Sequence, residues 1–82
     1  MSETYAQMKA RLLNGLIQQG WKVSSNLKIP HATRSDGFRL WFKTQSVYFG
    51  FSSSFSDARS THSDFRNIEF SKFLQDVDYW SK

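Results

Sequence analysis

One short segment of the chain alternates cationic and aromatic side chains with apolar ones. In a β-strand, successive side chains point to opposite faces, so Arg39, Trp41 and Lys43 would share one face. Leu40 and Phe42 would share the other face, where a core is expected. A tryptophan can stack on a planar ring while neighbouring cations neutralise phosphates. The segment therefore predicts a surface suited to an anionic partner.

The positive charge of the chain is concentrated around this segment. The formal net charge is +4, and residues 21–45 hold five basic residues against one acidic residue, Asp36. Such a localised field suits nucleic acid or an acidic protein surface, although a mildly basic surface also serves solubility alone. We expect the binding surface to consist of Lys22, Lys28, Arg34, Arg39, Trp41, Lys43 and Tyr48.

The outward position of Trp41 has other interpretations. An antiparallel sheet commonly leaves one face to solvent, and the segment 52–63 would then cover Trp41. Arg and Lys stems also pack on aromatic rings in the absence of any partner. If Trp41 and Tyr48 are exposed, they would also allow two copies to pair through their sheets as a homodimer. The sequence leaves these alternatives open.

Candidate catalytic and metal-binding residues are few. His31 and His62 have the chemistry of a general acid–base pair for phosphodiester cleavage, but lone histidines are more often surface residues. Asp57, His62 and Asp64 have oxygen and nitrogen ligands, but their spacing matches no common metal motif. There is no cysteine and no glycine-rich phosphate loop. We therefore expect a non-enzymatic protein with no catalytic residue, metal or cofactor.

Length and composition predict one globular domain, residues 1–82. The chain is 39% hydrophobic and 22% charged, and its eight Phe, three Tyr and three Trp can bury much apolar area. The lack of cysteine excludes disulfides and fits a reducing cytoplasm. The first twenty residues contain charges and glutamines, so neither a signal peptide nor a membrane span is expected there.

Two amphipathic helices are predicted, one at each end. Between residues 3 and 19, apolar side chains recur at helical spacing and form one broad stripe: Tyr5, Ala6, Met8, Ala10, Leu12, Leu13, Leu16 and Ile17. Ser2 is a favourable N-cap, and Gly20 suits a left-handed C-cap. Gly15 either weakens this helix or permits close packing. Asn67 is the expected cap of a final helix with a second apolar stripe: Phe70, Phe73, Leu74, Val77 and Trp80.

The middle of the chain predicts an antiparallel sheet. Strand patterns occupy WKVSSN and LKIPH (residues 21–31), then residues 38–43 and 47–51, and Asp36-Gly37 is a strong hairpin signal. The serine-rich residues 52–63 predict a loop. The expected fold is a small α-β-β-β-α domain of the α+β class, with a three- to four-stranded antiparallel sheet and two helices packed on one face.

The α-β-β-β-α order resembles the double-stranded-RNA-binding fold and the small RNA-cleaving toxins of the HicA type. Residues 16–23, LIQQGWKV, resemble the opening of those toxins, and His31 lies near the position that the resemblance implies for their catalytic histidine. Their Gly-Ser-His signature is replaced here by Ile29, Pro30 and His31. The last helix also lacks the basic start of double-stranded-RNA-binding domains. The chain is therefore assigned to neither family.

In size and in its lack of catalytic motifs, the chain also resembles small proteins of phages and mobile elements, including anti-CRISPR inhibitors. That resemblance implies binding to a host nucleoprotein complex. Two hypotheses follow from the basic surface. In the first, a basic, aromatic sheet face contacts nucleic acid or a nucleoprotein complex. In the alternative, the same face docks on an acidic protein surface of a host nucleoprotein defence machine and inhibits it.

Overall fold

Two helices and a five-stranded antiparallel sheet form the fold. The computed structural model describes residues 2–24, 29–43, 45–52, 54–61 and 64–82. In chain order the elements are α1 (Tyr5–Gln18), β1 (Lys22–Ser24), β2 (His31–Thr33), β3 (Arg39–Phe42), β4 (Val47–Gly50), a 3-10 turn (Phe55–Asp57), β5 (Arg59–Ser60) and α2 (Phe70–Trp80). The spatial strand order is β1-β2-β3-β4-β5, so each strand pairs with its sequence neighbours. No helix in these ranges is long and apolar enough to cross a membrane.

The predicted α+β class is confirmed, but the sheet has one strand more than the expected three to four. The additional strand, β5, lies in the serine-rich segment that predicts a loop, and it is only two residues long. Two residues are too few to show alternation, so its pairing with β4 has no sequence signature. The LKIPH pattern also differs, because β2 begins only at His31, after Ile29 and Pro30. Residues 25–28 lie outside the described part of the chain.

Helix α1 begins later than predicted and ends as predicted. Its N-cap is Thr4 rather than Ser2, because Thr4 and Gln7 form a capping box in which each side chain accepts from the other residue's backbone N–H. At the other end, Gly20 has a φ of 91°. The N–H of Gly20 donates to Ile17 at 3.0 Å and that of Trp21 donates to Leu16 at 3.0 Å. These two bonds form a Schellman motif, which directs the chain into β1.

Glu3, which lies outside α1, ties the two ends of the described chain together. Its carboxylate accepts hydrogen bonds from Nε of Arg11 at 2.6 Å and from the backbone N–H of Asn67 at 2.8 Å. Both bonds lower the pKa of Glu3 from 4.5 to about 2, and the bond from Arg11 has the largest effect. Asn67 has a φ of 67° and is not the cap of α2, since the N-cap is Glu69. Asn67 instead turns the chain toward the second helix.

The antiparallel register divides the sheet into two faces. The inner face carries Val23, Ala32, Leu40, Phe42, Val47 and Phe49. Both helices pack on this face, and one buried cluster joins it to residues of α1 such as Leu12 and of α2 such as Phe73. Phe42 and Phe73, for example, have ring centroids 6.4 Å apart. The expectation of two helices on one face is confirmed by these contacts.

The two helices approach each other closely at Gly15. A Cβ built on Gly15 would lie 2.6 Å from Cζ and 2.7 Å from Cδ1 of Phe70. Gly15 is therefore needed for close packing, which is one of the two interpretations that the sequence offers for it. The buried stripe of α1 is narrower than predicted, because Ile17 is 51% exposed and Ala6 and Ala10 are also exposed.

Substitution Gly15→Ala is expected to destabilise the protein. Alanine gains about 1 kcal/mol of helix propensity, but inserting a methyl group into a packed contact costs roughly 1–3 kcal/mol. We expect a net loss of about 1 kcal/mol in the free energy of unfolding, measured by urea denaturation. In a Phe70→Ala background the same substitution should become stabilising, because the obstructing ring is gone. Stabilisation by Gly15→Ala in the wild-type background would contradict this account.

Glu3→Gln is expected to remove part of the acid sensitivity of the fold. Because the folded pKa of Glu3 is about 2 instead of 4.5, its stabilising effect is present above pH 4.5 and is lost as the pH falls toward 2. The wild type should thus be more stable than Glu3→Gln at neutral pH, and the difference should vanish near pH 2. Urea midpoints measured across this range test the prediction. Asp76→Asn, which removes an α2 carboxylate without an ion pair in the described chain, is the control.

Candidate functional site

The face of the sheet opposite the helices holds two rows of side chains. The register aligns Lys22, Thr33, Arg39 and Gly50 in one row, and Ser24, His31, Trp41, Tyr48 and Ser60 in the next. These residues, with Lys43 just beyond β3, are called the outer face. None of the five strands contains an acidic residue, so the side chains of the outer face give it a positive field.

Trp41 lies on the outer face but is not exposed. The 3-10 turn places Phe55 edge-on to Trp41, with ring centroids 6.1 Å apart, and against Tyr48 at 4.9 Å. Only 4% of Trp41 is accessible. Of the alternatives that the sequence leaves open for Trp41, the structure shows the one in which the segment 52–63 covers it. Burial of this large apolar ring stabilises the fold, and it leaves Trp41 unable to stack on a nucleic-acid base or on a second copy.

Three cations of the outer face have no carboxylate partner in the described chain. Lys22 and Lys43 are exposed and Arg39 is half-buried. No Asp or Glu of the described ranges lies within ion-pair distance of any of them. The ammonium of Lys43 lies 5.7 Å from the ring centroid of Phe55, so this lysine flanks the cover over Trp41. Their charges remain available to an anion.

Arg34 has a different role from the one the charge pattern suggests. Its Nη2 lies 2.6 Å from Oδ2 of Asp36, its Nη1 lies 3.7 Å from Oδ1 of Asp78, and its guanidinium lies 5.1 Å from the ring centroid of Phe38. Hydrogen bonds lower the pKa of Asp36 to about 2, and the bond from Arg34 has a larger effect than the bond from the N–H of Phe38. The charge of Arg34 is thus compensated within the protein. Lys28, another predicted site residue, lies outside the described residues.

His31 belongs to the outer face, beside Trp41 in the register. Burial, and then the positive charge of Arg39, lower the pKa of His31, so the neutral imidazole predominates at pH 7. His62 lies outside the described residues, so no histidine pair is described. Within the described ranges, no three His, Asp or Glu side chains are grouped closely enough to hold a metal ion.

Five residues of this face are absent from the predicted binding surface: Ser24, His31, Thr33, Gly50 and Ser60. Two of them, His31 and Thr33, lie on β2. Their signal was available, because alternation continued past Pro30 would have placed both beside Arg39 and Trp41. Thr33 and Lys22 also line a groove of about 310 Å³ with the hydroxyl-bearing Ser35 and the turn residues Gly20 and Gly37. This end of the outer face therefore offers hydroxyl donors next to a cation.

The chain was compared with protein-family models, with curated proteins and with solved structures, and none of these comparisons found a match. The side chains of the outer face include groups that can interact with an anion. Two lysines and an arginine can neutralise phosphates or carboxylates, and the neutral His31 and the hydroxyl groups can donate or accept hydrogen bonds.

Phe55→Ala is expected to expose Trp41. Removing the covering ring should shift tryptophan emission to longer wavelength and increase quenching by acrylamide, with a loss of about 1–2 kcal/mol in the free energy of unfolding. The added Trp41→Phe substitution should abolish the spectral change, because the ring contacts of Trp21 and Trp80 in the described chain are with rings other than Phe55. An unchanged spectrum in a folded Phe55→Ala protein would show that Trp41 has another cover.

Proposed function

We propose that the protein is a non-enzymatic nucleic-acid-binding module whose outer face contacts the phosphate backbone. The observation that carries the proposal is that three cations without an ion-pair partner in the described chain share one face, whose strands contain no acidic residue. Arg11, Arg34 and Arg66 each pair with a carboxylate of this chain. The outer-face cations Lys22, Arg39 and Lys43 do not pair with any described carboxylate. The electrostatic repulsion between their positive charges is therefore not compensated by a carboxylate of the described chain.

The dimensions of the outer face suit more than one phosphate. Lys22 and Arg39 are two strands apart, which is roughly 10 Å, and Arg39 and Lys43 are separated by four residues along β3, which is roughly 13 Å. One nucleic-acid strand carries a phosphate about every 3.4 Å of helix axis. Such contacts position a protein on the backbone but carry no base information. With Trp41 covered, we expect the outer face to bind with strong salt dependence and little sequence preference.

The test compares two double variants that lose the same charge. Lys22→Ala/Lys43→Ala should weaken binding to short oligonucleotides and reduce the magnitude of the slope of log K against log salt by roughly two. Lys9→Ala/Lys72→Ala removes two lysines from the helices and should leave both quantities almost unchanged. Arg39→Gln removes one charge, so its change in the salt slope should be about half of that in Lys22→Ala/Lys43→Ala. Fluorescence anisotropy over a salt series measures all of them.

Two results would contradict the proposal. One is equal loss of affinity in both double variants, which would mean that binding follows net charge alone. The other is the absence of binding to single- or double-stranded oligonucleotides at low salt. That second result is the one expected if the outer face docks instead on an acidic protein surface of a host nucleoprotein complex.

A further inference from the structure

A second surface, outside the predicted site, combines aromatic rings with cations. It is a groove of about 350 Å³ where the end of β4 and the edge strand β5 meet the last turn of α2. Its rings are Phe38, Phe49, Phe51 and Trp80, and its charged residues are Asp57, Arg59 and Lys82. A neighbouring groove shares most of these residues and adds Tyr79. Together they are called the aromatic groove.

One wall of the aromatic groove is rigid. Trp80 stacks on Phe49 with centroids 5.2 Å apart and an interplanar angle of 14°. Trp80 also contacts Phe65 and Phe73 edge-on, at 5.6 and 6.1 Å, which anchors it to the core. A planar ligand would therefore meet a surface whose orientation is already set, which reduces the entropy lost on binding.

Two other rings of the groove are exposed. Phe51 is 56% accessible although it contacts Phe38 at 5.1 Å, and Tyr79 is 75% accessible. Single exposed apolar residues are common on proteins, but Phe51 lines the first groove with Trp80 and Tyr79 lines the neighbouring groove with Trp80. The chain thus presents stacking surface here, where the outer face, with Trp41 covered, does not.

The charges of the groove are mixed. Arg59 is exposed and lies opposite Phe49 in the register, and Lys82 follows α2. Neither cation has an ion-pair partner in the described chain. Asp57 is the acidic residue of the lining, and its Oδ2 accepts from the hydroxyl of Ser52 at 3.1 Å. The groove therefore offers two cations for an anion and one carboxylate that can accept from a donor.

We propose that the aromatic groove binds an unpaired nucleotide of a single strand. The base stacks on the exposed and anchored rings, the phosphate lies at Arg59 and Lys82, and Asp57 accepts from a sugar hydroxyl or a base amino group. A nucleotide supplies the ring, the anion and the donor together. This inference rests on the proposed function and deepens it.

Gly50 connects the aromatic groove with the outer face. It lines the groove and is also the register partner of Arg39. A Cβ at Gly50 would approach no atom closer than 3.8 Å, so packing does not require glycine there. Without a side chain at this point, a strand whose phosphates follow the outer face can pass β4 and place a base in the groove.

Intrinsic fluorescence tests the proposal with two probes, adenosine 5′-monophosphate and a short oligothymidylate. Trp21 and Trp41 are buried, so saturable quenching by the mononucleotide reports on Trp80 and should disappear in Trp80→Phe. Phe51→Ala and Arg59→Gln should each lower the affinity for the mononucleotide about five-fold or more. Ile17→Ala and Lys72→Gln, matched changes at exposed helical positions, should have no effect. Gly50→Val should lower the affinity for the oligonucleotide more than the affinity for the mononucleotide.

The outer-face variant Lys22→Ala/Lys43→Ala separates this inference from the proposed function. It should weaken oligonucleotide binding and leave mononucleotide quenching intact. If Phe51→Ala and Arg59→Gln bind both probes as the wild type does, the groove proposal is wrong although the outer face still binds. If no oligonucleotide binds at low salt, the proposed function is wrong, and the groove proposal, which rests on it, is wrong as well. Quenching by an acidic, phenylalanine-containing peptide but not by the mononucleotide would also overturn the inference, and it would assign the groove to a peptide.

Discussion

Phe73 contacts four other aromatic rings, those of Phe42 in the sheet, Phe65 before α2, and Phe70 and Trp80 within α2. This cluster holds α2 against the inner face of the sheet, and α1 joins the same core through its leucines. Once one face of an antiparallel sheet is buried in this way, a one-residue shift in the register of a strand would move its core side chains to the opposite face. The positions of the outer-face cations follow from that constraint, because they alternate with residues that must be buried.

Two groups of cations in this chain differ in their partners: one group pairs with carboxylates of the protein, and the cations of the outer face have no such partner in the described chain. Arg66 pairs with Asp64 and its guanidinium lies 4.2 Å from the ring centroid of Tyr5. Arg34 is similarly held between two aspartates and the rings of Trp21 and Phe38. Through these contacts, Arg66 and Arg34 connect segments that are distant in the sequence. Arginine suits this role because its planar guanidinium can pair with a carboxylate and stack on a ring at once.

In the proposed function, the outer face and the aromatic groove supply different parts of the binding chemistry. The outer face offers charge without accessible rings, since Phe55 covers Trp41. The groove offers rings with fewer charges, and Gly50 lies where the two surfaces meet. Phosphate contacts supply affinity that depends on salt, and base stacking adds energy that depends on an unpaired base. A preference for single strands over duplexes would thus come from the groove and not from the sheet face.

Local patterns in the sequence were sufficient for several features of the fold. Both helices, the Gly20 C-cap, the turn at Asp36-Gly37 and the opposite faces of Leu40 and Trp41 follow from periodicity and backbone preference, which depend on near neighbours. The positions of the outer-face cations were equally predictable, because alternation within a strand determines them.

Other features were decided only by the tertiary structure. The burial of Trp41 depends on a turn that packs across the sheet, the second carboxylate near Arg34 is Asp78 of a distant helix, and the groove brings Phe51 and Arg59 to the end of α2. The physical reason is the same in each case. Periodicity determines the face on which a side chain lies, but its exposure and its charge partners depend on which distant segments pack against that face.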